Sequence, residues 1–274
     1  MSRWIALFFA VLLAGCATSP VPLDKTFSAV SQDSRVRFLI LHYTSIGSAL
    51  SLKVLTQQTV SSHYLIDDGD EAKVYALVDE SRRAHHAGVS YWKGATHLNS
   101  SSIGIEIVNL GLRNTEQGRL WSPYSPKQAE RIVALVRDIT QRHGISPDRV
   151  LGHSDIAPQR KQDPGPLFPW KALADAGLVL WPDASRVAMA RAQFDMALPD
   201  VVWFQEKLAA HGFEVARTGT LDEATRVVLS AFQMKYRPTN YSGVMDAETA
   251  ALLEALTAPT NVPIVMPRAV ASNR

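Results

Sequence analysis

At 274 residues the chain is long enough for one large domain and a small one, and its 46% apolar and 20% charged composition is that of an ordinary folded protein. A net charge of +2 gives no electrostatic support to nucleic acid or another polyanion as partner. The single cysteine, Cys16, excludes an intrachain disulfide, so packing must hold the fold, with help from a metal where one binds.

Residues 1–16, MSRWIALFFAVLLAGC, place Arg3 before an unbroken apolar run from Ile5 to Leu13. The run is short for a membrane span and has no charged stop after it, so it reads as a signal peptide. Leu13-Ala14-Gly15-Cys16 resembles a bacterial lipobox, with Cys16 as the lipidated first residue of the mature chain. Ala17 follows instead of Asp, which by likeness to bacterial lipoproteins implies sorting to the outer membrane. Residues 17–34, polar and carrying Pro20 and Pro22, form the expected tether.

Arg37 to Thr44, RFLILHYT, predicts a buried strand with His42 near its C-terminal end, where α/β sheets present ligands. Ser48 to Val60 has helical spacing, with Leu50, Val54, Leu55 and Thr59 inward. His63 to Ile66 and Lys73 to Val78 read as a hairpin around Asp67-Asp68-Gly69-Asp70. AHHAGVSYWKG, residues 84–94, has the composition of a cleft wall. Ile103 to Val108 predicts a central strand, apolar on both faces, in which Glu106 is the anomaly. A lone carboxylate there costs several kcal/mol, on the order of a buried unpaired charge, unless it is paired, protonated or beside a metal.

Leu110 to Pro123 reads as a polar loop, and Ser125-Pro126 as the start of a helix with Ile132, Val133, Leu135, Val136 and Ile139 on one side, stopping at His143-Gly144. A short strand then leads to His153, and Trp170 to Ala176 forms a short helix. Residues 181–199 read as a linker or short helical bridge. Helices follow from Val201, from Asp222 and from Asp246. TGTLDEATRVVLSAFQ and YSGVMDAETAALLEAL repeat one plan, an internal duplication of small helical units. Residues 258–274, with three prolines, are expected to form a disordered tail.

The stretch GHSDIAPQRKQDPGPLFPW, residues 152–170, concentrates the chemistry. Pro158 and Pro164 forbid continuous helix and Gly165 permits a sharp turn, so the chain loops back and brings Asp163 to His153. With His42 these supply two imidazoles and a carboxylate, a donor set suited to a catalytic zinc with one open position. Glu106 is placed to act as base on a water, and Lys161, two positions before Asp163, to face the oxyanion of a tetrahedral intermediate.

HYT at 42–44, SHYLID at 62–67, HHAG at 85–88, IGIEIVN at 103–109, GHSDIAPQRKQDPG at 152–165 and FPW at 168–170, in this order, resemble the type-2 N-acetylmuramoyl-L-alanine amidases. Order and spacing are similar to the AmiD group of outer-membrane lipoprotein amidases. The resemblance covers about residues 35–180, and residues 200–257 resemble a three-helix peptidoglycan-binding domain.

The resemblance implies an α/β fold with a central mixed sheet flanked by helices, followed by a small three-helix domain. It implies Zn2+ held by His42, His153 and Asp163, with Glu106 and Lys161 catalytic. It also implies His86 and Asn109 as substrate-binding residues, with Tyr64 and Trp92 expected beside them, and peptidoglycan or muropeptides, including 1,6-anhydro forms, as substrate. His85 departs from the family, which carries Trp at that place. The expected organisation is a lipoprotein signal at 1–16, a tether at 17–34, an amidase domain at 35–180, a linker at 181–199, a wall-binding domain at 200–257 and a tail at 258–274. The expected location is the periplasmic face of the outer membrane, anchored through Cys16. The alternative is a peptidoglycan-binding protein of the same fold that does not cut.

Overall fold

The computed structural model describes residues 21–258. The signal peptide and lipobox expected at residues 1–16, Cys16 included, and the tail beyond Ala258 lie outside the described residues. Residues 21–33 are exposed and hold no helix or strand, and they belong to a separate unit from the chain beginning at Ser34.

From Ser34 onward the elements are β1 (Phe38–Tyr43), α1 (Ser48–Gln57), β2 (Tyr64–Ile66), β3 (Val74–Ala76), β4 (Tyr91–Trp92), β5 (Ala95–Thr96), β6 (Ser102–Ile107), β7 (Leu112–Thr115), β8 (Gly118–Trp121), α2 (Pro126–His143) and β9 (Val150–Gly152). After these come α3 (His153–Ile156), α4 (Trp170–Asp175), α5 (Ala184–Phe194), α6 (Val201–His211), α7 (Glu223–Tyr236) and α8 (Ala247–Thr257). The main sheet is mixed, in the order β3-β2-β6-β1-β9, with only β3 antiparallel to its neighbour.

The period of two in each strand decides what faces what. Leu39 and Leu41 of β1 and Ile103, Ile105 and Ile107 of β6 pack against Ile132, Val136 and Ile139 of α2. Phe38 and Ile40 turn the other way, into a core shared with the C-terminal helices. The alternate residues of β6 are Ser102, Gly104 and Glu106, so this strand is not apolar on both faces as its composition predicts. The face carrying Glu106 is small and polar. α2 begins at a capping box in which Ser125 and Gln128 exchange side-chain and backbone bonds, and it ends at Gly144 with φ of 64°.

Three sequence expectations are corrected. Residues 112–121, expected as loop, form the β7–β8 hairpin. α1 buries Ser51 and Leu55 and leaves Leu50 half-exposed. Residues 181–199, expected as a linker or short helical bridge, contain the helix α5, and it is no bare bridge: its Ala190 and Phe194 are buried in the C-terminal core with the helices that follow.

The duplication is physical. In the first unit Gln205 accepts from Gly219 N–H at 2.9 Å and donates to Thr220 C=O at 3.1 Å and Thr225 Oγ1 at 2.9 Å. In the second, Gln233 accepts from Gly243 N–H at 2.8 Å and donates to Val244 C=O and Thr249 Oγ1, both at 2.9 Å. Asp222 and Asp246 cap the helix that follows each turn. One buried amide thus satisfies the turn before each capped helix. Gln233→Ala leaves Gly243 N–H and Val244 C=O without these partners, and the expected loss is about 1–3 kcal/mol. Thermal unfolding should register it as a fall of about 2–4 °C per kcal/mol.

Candidate active site

The site lies at the C-terminal ends of parallel strands. His42 is the fifth residue of the six in β1, and its register partner in the neighbouring strand is Glu106. Adjacent register in a parallel pair puts both side chains on one face. His153 follows directly on β9, the other neighbour of β1. Asp163 returns because Ser154 N–H donates to its carbonyl at 2.8 Å. Gly152 is required beneath this loop: a Cβ there would stand 2.7 Å from Pro164 Cδ.

His42 Nδ1, His153 Nδ1 and Asp163 Oδ2 lie 3.0 Å from one another, and all three residues are buried. The opposite ring nitrogens have other partners. His153 Nε2 donates to Ala87 C=O at 3.1 Å. Ser102 donates its hydroxyl proton to Leu98 C=O at 2.6 Å and therefore accepts from His86 Nε2 at 3.2 Å. His86 Nδ1 is then an acceptor, and His42 Nε2–H donates to it at 3.0 Å, which leaves a lone pair on the Nδ1 of a neutral His42. Two imidazole nitrogens and a carboxylate oxygen thus face one point, an arrangement suited to a cation.

Charge states agree. Burial, reinforced by His153, lowers His42 to about 4, so it is neutral and able to ligate at ordinary pH. Burial pushes on Asp163 from the other side, but His153 and His42 outweigh it and hold the carboxyl well below its usual range. Two imidazole nitrogens and one carboxylate oxygen fit a zinc ion with an open position.

Glu106 opens to the same cleft, a cavity of about 640 Å³ that His42, His86, His153, Lys161 and Asp163 also line. Its Oε2 is buried with no hydrogen-bond partner. Burial, and then the negative charge of Asp163, raise its carboxyl well above the ordinary glutamate range, while Lys161 opposes them. Lys161 borders this cleft, partly exposed, on the loop that ends at Asp163.

Four other residues find varied places. His86 is buried behind His42, its ring seated on Gly104, where a Cβ would stand 2.5 Å from the imidazole Cγ. It holds His42 while also lining the cleft. Tyr64, expected to bind substrate, pairs in register with Ile105 and so points to the opposite face of the sheet, donating to Glu80 at 2.6 Å. Trp92, also expected there, is 2% exposed and packs edge-on against His211 and Phe213 of the C-terminal helices. Asn109 spends its amide on Ser122 C=O, Pro123 C=O and Gly111 N–H, locking the base of the β7–β8 hairpin. His85, at the place of the family's Trp, is exposed on the cleft wall. Sequence reasoning missed Ser102, whose hydroxyl fixes the proton order of the histidine pair, and Val227 of α7, which lines the cleft. Their only sequence signals are a polar residue in phase with Glu106 and an apolar residue on a helix of the second module.

Comparison with known proteins bears on the whole chain. The N-acetylmuramoyl-L-alanine amidase family matches residues 32–166, and a peptidoglycan binding domain family matches residues 198–253. N-acetylmuramoyl-L-alanine amidase AmiD of Escherichia coli K12 is 42% identical over 260 residues, covering 90% of this chain and 94% of that protein. The structure of E. coli AmiD in complex with anhydro-N-acetylmuramic acid-L-Ala-D-gamma-Glu-L-Lys matches with a TM-score of 0.77 at 41% identity, over 85% of this chain and 93% of that one. AmpDh3 from Pseudomonas aeruginosa matches with a TM-score of 0.79 at 38% identity, over 87% of this chain and 98% of that one. A buried His-His-Asp acceptor cluster beside a lone glutamate, in a fold shared over most of both chains, has one reading: the chain belongs to the N-acetylmuramoyl-L-alanine amidase family.

Proposed function

We propose that this amidase is a zinc enzyme in which His42, His153 and Asp163 hold the ion, Glu106 is the general base and acid, and Lys161 stabilises the oxyanion. The observation that carries this reading is the convergence of two imidazole nitrogens and a carboxylate oxygen within 3.0 Å of one another. When bound, zinc supplies Lewis-acid polarisation of the scissile carbonyl and makes an attacking water more acidic. Glu106 takes a proton from that water as its oxygen bonds to the lactyl carbonyl carbon of N-acetylmuramic acid. The Lys161 ammonium, on the rim of the same cleft, faces the developing negative oxygen. Glu106 then gives the proton to the L-alanine nitrogen as the C–N bond breaks, which leaves a lactyl carboxylate and a free amino terminus.

The proposed substrates are peptidoglycan and its muropeptides, 1,6-anhydro forms included. The ligand in the E. coli AmiD complex is an anhydro-N-acetylmuramic acid peptide, which supports the last point. Residues 198–253, matching the peptidoglycan binding family, are proposed to hold the chain on the wall. No helix among the described residues is long and apolar enough to cross a membrane. Leu13-Ala14-Gly15-Cys16 supports a lipid anchor on Cys16 and a place on the periplasmic face of the outer membrane.

Mass spectrometry of muropeptides incubated with zinc-loaded protein tests the reaction. Free stem peptides beginning with L-alanine should appear, and stripping the metal with a strong chelator should abolish them. Release that survives complete metal removal defeats the zinc reading. No release at any zinc concentration favours a non-cutting wall binder.

A further inference from the structure

The C-terminal helices reach into the turn that carries a metal ligand. α3 is four residues long, a single turn whose C-cap N–H, that of Ala157, donates to His153 C=O. A single turn does not hold itself in water, so its position must come from outside. On one side Asp163 C=O takes Ser154 N–H. On the other, Asp155 Oδ2 accepts from Gly152 N–H at 2.8 Å and from Lys235 Nζ at 2.7 Å. Gly152 immediately precedes His153, and Lys235 belongs to α7, in the second module.

The Lys235–Asp155 pair is almost wholly enclosed, with side-chain exposures of 5% and 2%. The ammonium also lies 4.3 Å from the Trp170 ring centroid. Replacing such a pair by apolar groups is often neutral or favourable for stability, so stability alone does not explain its presence. A second contact runs the same way: Gln159, on the loop between His153 and Asp163, donates to Ala224 C=O near the start of α7 at 3.0 Å. Val227 of the same helix lines the catalytic cleft.

We propose that Lys235 is a positioning residue for the metal site: through Asp155 and Gly152 it sets the placement of His153, so the wall-binding module is a structural part of the catalytic centre. This rests on the metal reading above. It assigns Lys235 no contact with substrate or ion.

The test uses the full chain and reads metal binding, not turnover. Zinc affinity is measured by competition with a chromogenic chelator, and ligand geometry by the visible absorption of the cobalt-substituted protein. Lys235→Met should bind zinc 10- to 100-fold more weakly, about the range for loss of an outer partner of a metal ligand, and should shift the cobalt bands. A folded Lys235→Met protein with zinc affinity within about twofold of the parent and an unchanged cobalt spectrum overturns the proposal. Where Lys235→Met does not fold, Lys235→Met with Asp155→Asn, which leaves no lone buried charge, is read in its place against the same two outcomes. A parent chain that binds no zinc overturns the metal reading itself; an unchanged variant of a zinc-binding parent overturns only the positioning role.

Discussion

His153→Ala is expected to lose zinc and turnover together. The substitution removes one of three acceptors that meet within 3.0 Å and leaves His42 Nδ1 and Asp163 Oδ2 as a two-point site. It also takes the His153 Nε2–H, at 3.1 Å, away from Ala87 C=O, which keeps its bond from Arg160. Two donors hold zinc far less tightly than three, and a catalytic site is built from three protein ligands. Loss of the ion removes several kcal/mol of transition-state stabilisation, so release of L-alanine amino termini should fall by at least about 10³-fold. Elemental analysis after gel filtration checks the metal, and muropeptide release checks the rate. Stoichiometric zinc in a purified His153→Ala protein would sink the ligand assignment.

Much of this site is readable from residue order alone, for a physical reason. Strands of a parallel sheet present their C-terminal ends together, so His42 and Glu106, each near the end of an apolar run, must become neighbours; the register pairs them directly. Four prolines and a glycine between His153 and Trp170 likewise leave the chain little choice but to fold back. What stays hidden depends on contacts between distant segments. Tyr64 sits one residue out of phase with the cleft, because its strand pairs it with Ile105 and not with Glu106. A slip of one residue reverses a side chain, and a three-residue strand carries too little pattern to fix that phase.

Trp92 is hidden for another reason. An aromatic in a loop beside histidines has the look of a cleft wall, yet here it is the key of an interface with His211 and Phe213. Nothing local to residues 84–94 announces that the second module docks there. The β7–β8 hairpin escaped because its residues are mostly exposed, so no apolar alternation marks it. Asp183 and Asp200 cap α5 and α6, and both signals stand in plain view in WPDAS and ALPD. The stretch after Asp183 nonetheless reads as a linker or short helical bridge, because its apolar pattern is weak, whereas the helix from Val201 is legible.

Glu106→Gln separates catalysis from metal binding and from folding. The amide keeps the shape of the side chain but cannot take a proton from water, so turnover should fall by about 10²- to 10⁴-fold, the usual weight of a general base. Zinc should remain, since Glu106 is not among the three converging acceptors. Stability of the metal-free protein should move the opposite way. Burial and Asp163 raise the Glu106 carboxyl in the folded state above its ordinary value of 4.5. Folded protein therefore binds this proton more tightly than unfolded chain does. The parent's stability is unaffected by this group below the ordinary value, where both states are protonated. It falls as pH rises from there through the raised value, where folding must keep a buried carboxylate ionised. Glutamine carries no such charge. In chelator-treated samples the variant should match the parent under acid conditions and exceed it near neutral pH by about 1–3 kcal/mol, the cost of a buried group without a partner. Urea unfolding at both conditions measures the difference. Equal stabilities near neutrality would mean that Glu106 already has a partner in the folded chain, and the base would have to be sought elsewhere in the cleft.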